Sequence, residues 1–289
     1  MAGFVIATDS SADMPHQFVE ENELLTISLT YTYEGRDHVD DFGKGDGYRE
    51  LYRSLRNGAT STTSQVNTDT FMQLFTLAAE QGKDILYVAF SSGLSGTCES
   101  GMLAAKLMKE KYPDVNIRVV DTLAASMGQG LLVYYAVEMK KQGKSMDEVG
   151  DWLENNKLRV NHWFTVDTLE HLKRGGRVSG TAAFVASMLE IKPVLRVDDH
   201  GKLVPVSKAL GRKKSLRALA EKVSERIVDS EQQIIMISHG DCEEDAIRLR
   251  ELVEKSVVCK GYMINFVGPV IGSHSGPGTL AVFFLSDSR

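Results

Sequence analysis

Two hydroxyl-rich segments are the first places where this chain could do chemistry. One is Thr60-Ser61-Thr62-Thr63-Ser64-Gln65, with five consecutive hydroxyls. The other is Ser91-Ser92-Gly93-Leu94-Ser95-Gly96-Thr97, between an apolar run, Ile85 to Phe90, and a helical pattern opening at Gly96. Each hydroxyl is a short donor and acceptor. The second segment reads as strand–turn–helix, which puts backbone N–H groups and the positive end of a helix dipole beside three serines. An anion is the natural occupant; phosphate and carboxylate are not distinguished. The first segment reads equally well as a solvated loop or as the cap of a helix starting at Asn67. Two more clusters join them. Asp9-Ser10-Ser11-Ala12-Asp13 is read, taken alone, as an N-cap for a helix near Pro15. Gly268 to Gly278 surrounds His274 with four glycines and two prolines, a stiff, tightly turned loop in which a histidine is a good ligand contact. Cations gather at Lys173-Arg174-Gly175-Gly176-Arg177, read as a basic helix C-terminus, and at Gly211-Arg212-Lys213-Lys214. At the second, cations sit unfavourably at a helix start, which supports a partner or phosphate role.

The bulk numbers bound the setting. The chain has 289 residues, 43% hydrophobic and 25% charged, with a net charge of -6. Its length suggests two domains and a large core without staples. The acidic balance argues against nucleic acid or an anionic membrane as the main partner. Cys98, Cys242 and Cys259 form no C-x-x-C pair, so no zinc site or disulfide framework is indicated, and three reduced thiols fit a cytosolic protein. The N-terminus does not resemble a signal peptide, and no apolar run approaches the ~20 residues of a membrane span.

The elements that position these clusters follow from periodicity. Strands are predicted at Phe4–Thr8, Leu24–Tyr33, Ile85–Phe90 and Ile117–Asp121. Helices are predicted over Asn67–Gly82, Gly96–Lys111 and Ala124–Lys141, and one more is opened by a Ser145/Glu148 capping box. In the Gly96 helix, Met102, Leu103, Ala105, Leu107 and Met108 are expected to pack inward. This βαβα rhythm implies a parallel sheet. Near Lys157 the pattern changes. A strand over Arg159–Val166, a short helix ended by Gly175-Gly176, an almost wholly apolar helix over Thr181–Leu189, and a hairpin turning at Asp198–Gly201 are followed by α and β segments to Ser286. The expected organisation is an N-terminal α/β domain over residues 1–157 and a mixed α/β domain over 158–289.

These clusters, with Asp121-Thr122-Leu123-Ala124-Ala125-Ser126-Met127-Gly128-Gln129-Gly130 and Asp167 to Arg177, occur in one order across nearly the whole chain. In that order the sequence resembles the DegV family, bacterial fatty-acid-binding proteins that include the FakB subunits of fatty acid kinase. The resemblance implies a two-domain DegV-like α/β fold with a long-chain fatty acid in a tunnel between the domains. By position it implies that Thr62, Thr63, Ser95 and His274 hold the carboxylate. It implies that Arg177 and Arg212 serve the head group or kinase docking. It also implies a carrier rather than an enzyme, which presents its lipid to a separate ATP-dependent, DAK-type fatty acid kinase for acyl-phosphate formation, with no cofactor, metal or nucleic acid and at most transient contact with a membrane surface. Phe184 and Met188 are candidate tunnel-wall residues. Val66-Asn67 and Cys98-Glu99 depart from the family's commoner residues without touching the hydroxyls.

Two enzymatic readings compete. A serine hydrolase would use Ser95, Asp121 and His274, in the chain order of α/β-hydrolases, although Thr97 stands where the elbow wants glycine. A self-sufficient phosphotransferase would need a G-x-x-x-x-G-K-[ST] loop, which the chain lacks.

Overall fold

A computed structural model describes residues 3–178 and 190–289. Strands β1 (Phe4–Asp9), β2 (Leu25–Ile27), β6 (Asp84–Ala89) and β7 (Ile117–Asp121) form an all-parallel sheet in the order β2-β1-β6-β7. The run through β6 is continuously apolar because both faces are covered. Leu86 and Val88 face one core cluster, and Ile85, Tyr87 and Ala89 face another. Helices α3 (Thr68–Ala79) and α4 (Thr97–Lys111) cover the second face, and α5 (Met127–Lys141) and α6 (Met146–Asn156) the first.

A six-stranded mixed sheet lies beyond α5. Its order is β10 (Leu203–Leu210), β9 (Ile191–Val197), β8 (Val160–Thr165), β13 (Leu280–Leu285), β11 (Ile234–His239), β12 (Gly261–Phe266), antiparallel except for the β11–β12 pair. Helices α8 (Arg212–Arg226) and α9 (Glu243–Glu254) back its far face. Helix α5 is therefore buried between two sheets; Met127 through Val133 are all inaccessible. Such all-round burial is what its apolar sequence requires.

Several predicted elements end close to their observed limits, and the capping box at Ser145/Glu148 is formed. The differences concern the site. The predicted Leu24–Tyr33 strand is two strands, β2 and β3 (Thr30–Tyr33). The second belongs to a separate antiparallel sheet with β4 (Arg36–Val39) and β5 (Ser61–Ser64), packed on α2 (Gly47–Arg56). The hydroxyl row is thus a strand rather than a loop. The Gly268–Gly278 loop contains a short helix, α10 (Pro269–Ser275), with Pro269 at its first turn. Asp9 caps the single turn Ser10–Ala12 by accepting from Ser11 N–H, whereas helix α1 (His16–Glu21) has no side-chain cap. Met102, Leu103 and Leu107 face solvent; Met108 packs inward as expected, joined by Cys98, Gly101 and Ala104. Small residues at 101 and 104 let α4 sit close to Tyr87, and this outweighs the burial its larger apolar residues would gain.

The hairpin between β9 and β10 reaches across to the first sheet. Gly201, at φ +70°, accepts a hydrogen bond on its carbonyl from Ser91 Oγ (2.9 Å), and a Cβ on Gly201 would fall 2.1 Å from that oxygen. Gly201→Ala is expected to lower stability by about 1–3 kcal/mol, through both the positive φ and the clash. Urea denaturation measures it; an unchanged midpoint would contradict this packing.

Candidate functional site

One cavity of about 390 Å³ opens between the sheets. Its wall is mostly apolar, with Leu29, Phe90, Val270, Phe164, Val197 and Phe283 among the contributors, and polar side chains are grouped on it. This combination is characteristic of a small-molecule site.

Thr63, Ser95, Arg177 and His274 all line this cavity. Thr63 comes from β5, where strand alternation turns Ser61 and Thr63 toward α10. Ser61 Oγ meets Ser273 Oγ at 2.7 Å, and Thr63 Oγ1 meets His274 Nε2 at 2.8 Å. The same alternation puts Thr62 on the opposite face, exposed and off the cavity wall, so Thr62 is separated from the other three.

Ser95 sits in the turn before α4. Its Oγ receives Thr97 N–H (3.3 Å) and lies 2.9 Å from Thr97 Oγ1, which itself accepts from Val66 N–H (3.3 Å). Either hydroxyl of the Ser95–Thr97 pair can be the donor; when Thr97 Oγ1 donates, the Ser95 proton is left for a ligand. Arg177 bridges the walls, its Nε donating to Leu94 O (3.2 Å) and its Nη1 to Gly175 O.

His274 carries no charge near neutrality: burial, then the nearby Arg177, holds its pKa down at about 4. Its ring packs on Gly175, where a Cβ would fall 2.1 Å from Nδ1. The φ of Gly175 is −73°, so this glycine is needed for closeness and not for backbone freedom. Sequence reading took Gly175-Gly176 for a helix terminus only; the signal available was a glycine pair where one would have ended the helix.

Behind the cavity wall lies a carboxyl that the sequence alone assigns to a cap. Asp13 is buried, with φ +52°. It accepts from Gly268 N–H on Oδ1 (2.9 Å) and from Ser126 Oγ on Oδ2, and Ser126 Oγ lies 3.0 Å from Ser238 Oγ. Burial, opposed by the Ser126 bond and joined by the negative charge of Asp40, raises its pKa well above the usual carboxyl range. Ser126 and Ser238 both line the cavity. The polar wall also includes His162, buried, with Nδ1 3.1 Å from Val160 O.

Arg212 is placed elsewhere. It does not line the cavity; its Nε pairs with Asp245 Oδ2 (2.8 Å) across α8 and α9, and Nη2 contacts Cys242 Sγ at 3.3 Å. Phe184 and Met188 lie outside the described residues. The hydrolase triad is not assembled: Asp121 Oδ1 accepts from Ser92 and Leu123 N–H, Ser95 bonds Thr97, and His274 bonds Thr63. Among the described residues no group of three or more His, Cys, Asp or Glu could hold a metal, and no helix is long and apolar enough to cross a membrane.

The site is thus a ligand cavity between two sheets, with donors for an anion on one part of its wall. Known proteins agree with that class. The profile of the DegV family matches residues 3–287. A DegV domain-containing protein of Clostridium perfringens is 48% identical over 289 residues, covering 100% of this chain and 99% of its own. Two solved structures are each 30% identical: a Thermotoga maritima protein described as revealing fatty acid binding function (TM-score 0.86; 99% of this chain, 100% of that one) and a Thermus thermophilus DegV protein described by its fatty acid binding (TM-score 0.88; 98% and 99%). The chain belongs to the DegV family.

Two outcomes follow from the packing of His274. Gly175→Ala should displace the imidazole from Thr63, read as loss of the Thr63–His274 contact in a crystal structure; an unmoved ring would contradict it. The second concerns pH. With a folded pKa near 4 against ~6.5 unfolded, the unfolded chain binds the proton first, so His274 costs stability as pH falls from 6.5 to 4. His274→Gln should lessen the acid loss of stability across that window, measured by urea midpoints at several pH values. An acid loss as steep as the parent's would show that His274 does not contribute to it.

Proposed function

We propose that the protein binds one long-chain fatty acid, with its carboxylate on Thr63, Ser95, His274 and Arg177 and its acyl chain along the apolar wall. The observation carrying this reading is that the Ser95 and Thr63 hydroxyls and the Arg177 guanidinium line one mostly apolar cavity together. A neutral His274 that donates from Nε2 to Thr63 Oγ1 turns the threonine proton toward the ligand. Arg177 then supplies the charge. Thr62 can contribute only by holding the strand in register, where it pairs with Thr32.

Magnitudes divide the work. Each buried methylene contributes about 0.8 kcal/mol, so about 14 of them give roughly 11 kcal/mol gross. Hydrogen bonds to a charged head contribute about 1.5–3 kcal/mol each. The tail therefore dominates affinity and the hydroxyls dominate placement. Accurate placement of a carboxylate is what a separate kinase needs to phosphorylate it in line. On this reading the chain is a carrier that presents its lipid to an ATP-dependent, DAK-type fatty acid kinase in the cytoplasm. Arg212 is half-buried and paired with Asp245, and the adjoining Lys213 and Lys214 are exposed, so a docking role would draw on this basic helix start.

Displacement of a fluorescent fatty acid by palmitate tests the reading. The parent protein should bind one palmitate per chain. Ser95→Ala should weaken binding by about 10- to 100-fold and reduce phosphorylation, with kinase and ATP added, by more. An absence of palmitate binding in the parent would overturn the carrier reading; normal phosphorylation in the variant would overturn the role of Ser95.

A further inference from the structure

The anion-binding end does not account for every polar group on the cavity wall. Ser126 and Ser238 stand on that wall from a different direction, at the start of α5 and on β11. They are fixed rather than incidental. Ser126 is held at φ +53° with its hydroxyl on the carboxyl of Asp13, and all three residues are at least nine-tenths buried. The other oxygen of Asp13 is already taken by Gly268 N–H.

Proton accounting along this chain leaves one position open. With Asp13 ionised, the Ser126 proton goes to Asp13 and the Ser238 proton to Ser126, so Ser238 ends the relay with bare lone pairs. With Asp13 protonated on Oδ2 the order reverses, and Ser238 ends it with a free proton. Among the described residues Ser238 Oγ has no partner besides Ser126. In either state a hydrocarbon tail passing this wall leaves a hydrogen bond unmade in an apolar surrounding, which is costly. A hydroxyl on the ligand can donate to the first form and accept from the second; a methylene can do neither.

We propose that Ser238, backed by Ser126 and Asp13, is a second polar subsite that selects fatty acids bearing a hydroxyl part-way along the acyl chain. This rests on the fatty-acid reading and names a substrate subclass within it. The carboxylate stays on Thr63 and Ser95, and the position of the hydroxyl along the chain is set by the separation of the two polar groups.

The test is competition by stearic acid and by a series of monohydroxystearic acids with the hydroxyl at successive carbons, against a fluorescent fatty acid, in the parent protein and in Ser238→Ala and Ser238→Cys. At least one isomer should bind about 3- to 10-fold more tightly than stearic acid in the parent, with a sharp dependence on position. Both variants should lose that preference while binding stearic acid at least as tightly as the parent does, because the hydroxyl that a methylene leaves unpaired is gone or weakened. Ser238→Cys, nearly the same size, guards against a packing defect in Ser238→Ala. If stearic acid binds the parent but no isomer exceeds it, the inference is overturned and the fatty-acid reading stands. An isomer preference that persists in Ser238→Cys also overturns it. If stearic acid itself does not bind the parent, both fail.

Discussion

The buried carboxyl of Asp13 is the interaction on which the arrangement of this molecule depends. It has no cation beside it among the described residues, and burial alone makes it expensive. It is retained in a place where its two oxygens join three elements: the turn after β1, the start of α5 through Ser126, and the β12–α10 junction through Gly268 N–H. Its backbone carbonyl accepts a further bond, from Asn265 Nδ2 at 2.8 Å. The approach is close enough that a Cβ on Gly268 would come within 2.6 Å of Asp13 Oδ1. With these elements fixed, α10 can lean its histidine on Gly175 and present it to β5.

The cavity therefore exists because two sheets share one buried helix and are pinned at its beginning. Helix α5 spans the gap over its full length, and the hairpin turn at Gly201 closes the opposite edge on Ser91. Among the described residues, the strands on the border of this space pair within their own sheets. A linear apolar ligand is the natural filler, and the polar end of the space determines which way round it lies.

Much of this was legible in the sequence, for identifiable reasons. Strand β6 and the first half of helix α5 declared themselves as mostly apolar segments because they are covered on every side, whereas β7, at the sheet edge, is only half-buried and carries Arg118. Ser95 was legible because strand–turn–helix geometry is local. The role of Thr63 relative to Thr62 was not: the row of hydroxyls shows no apolar alternation, so nothing revealed a strand or which residues faced inward. Gly175 does end its helix as expected, but its packing on His274, and the bond of Asp13 to Gly268, were not legible because those partners stand some 100 and 255 positions away. Met102, Leu103 and Leu107 misled in the other direction, since helical spacing fixes a shared face but not which face a neighbouring aromatic ring will claim.

The central claim is that the cavity between the sheets is a fatty-acid site. Organic extraction of the protein purified from a bacterial host, with mass spectrometry of the extract, tests it most directly. The account predicts long-chain fatty acid at one molecule per chain. A protein that emerges empty, and that also fails to take up added palmitate or oleate, would contradict it.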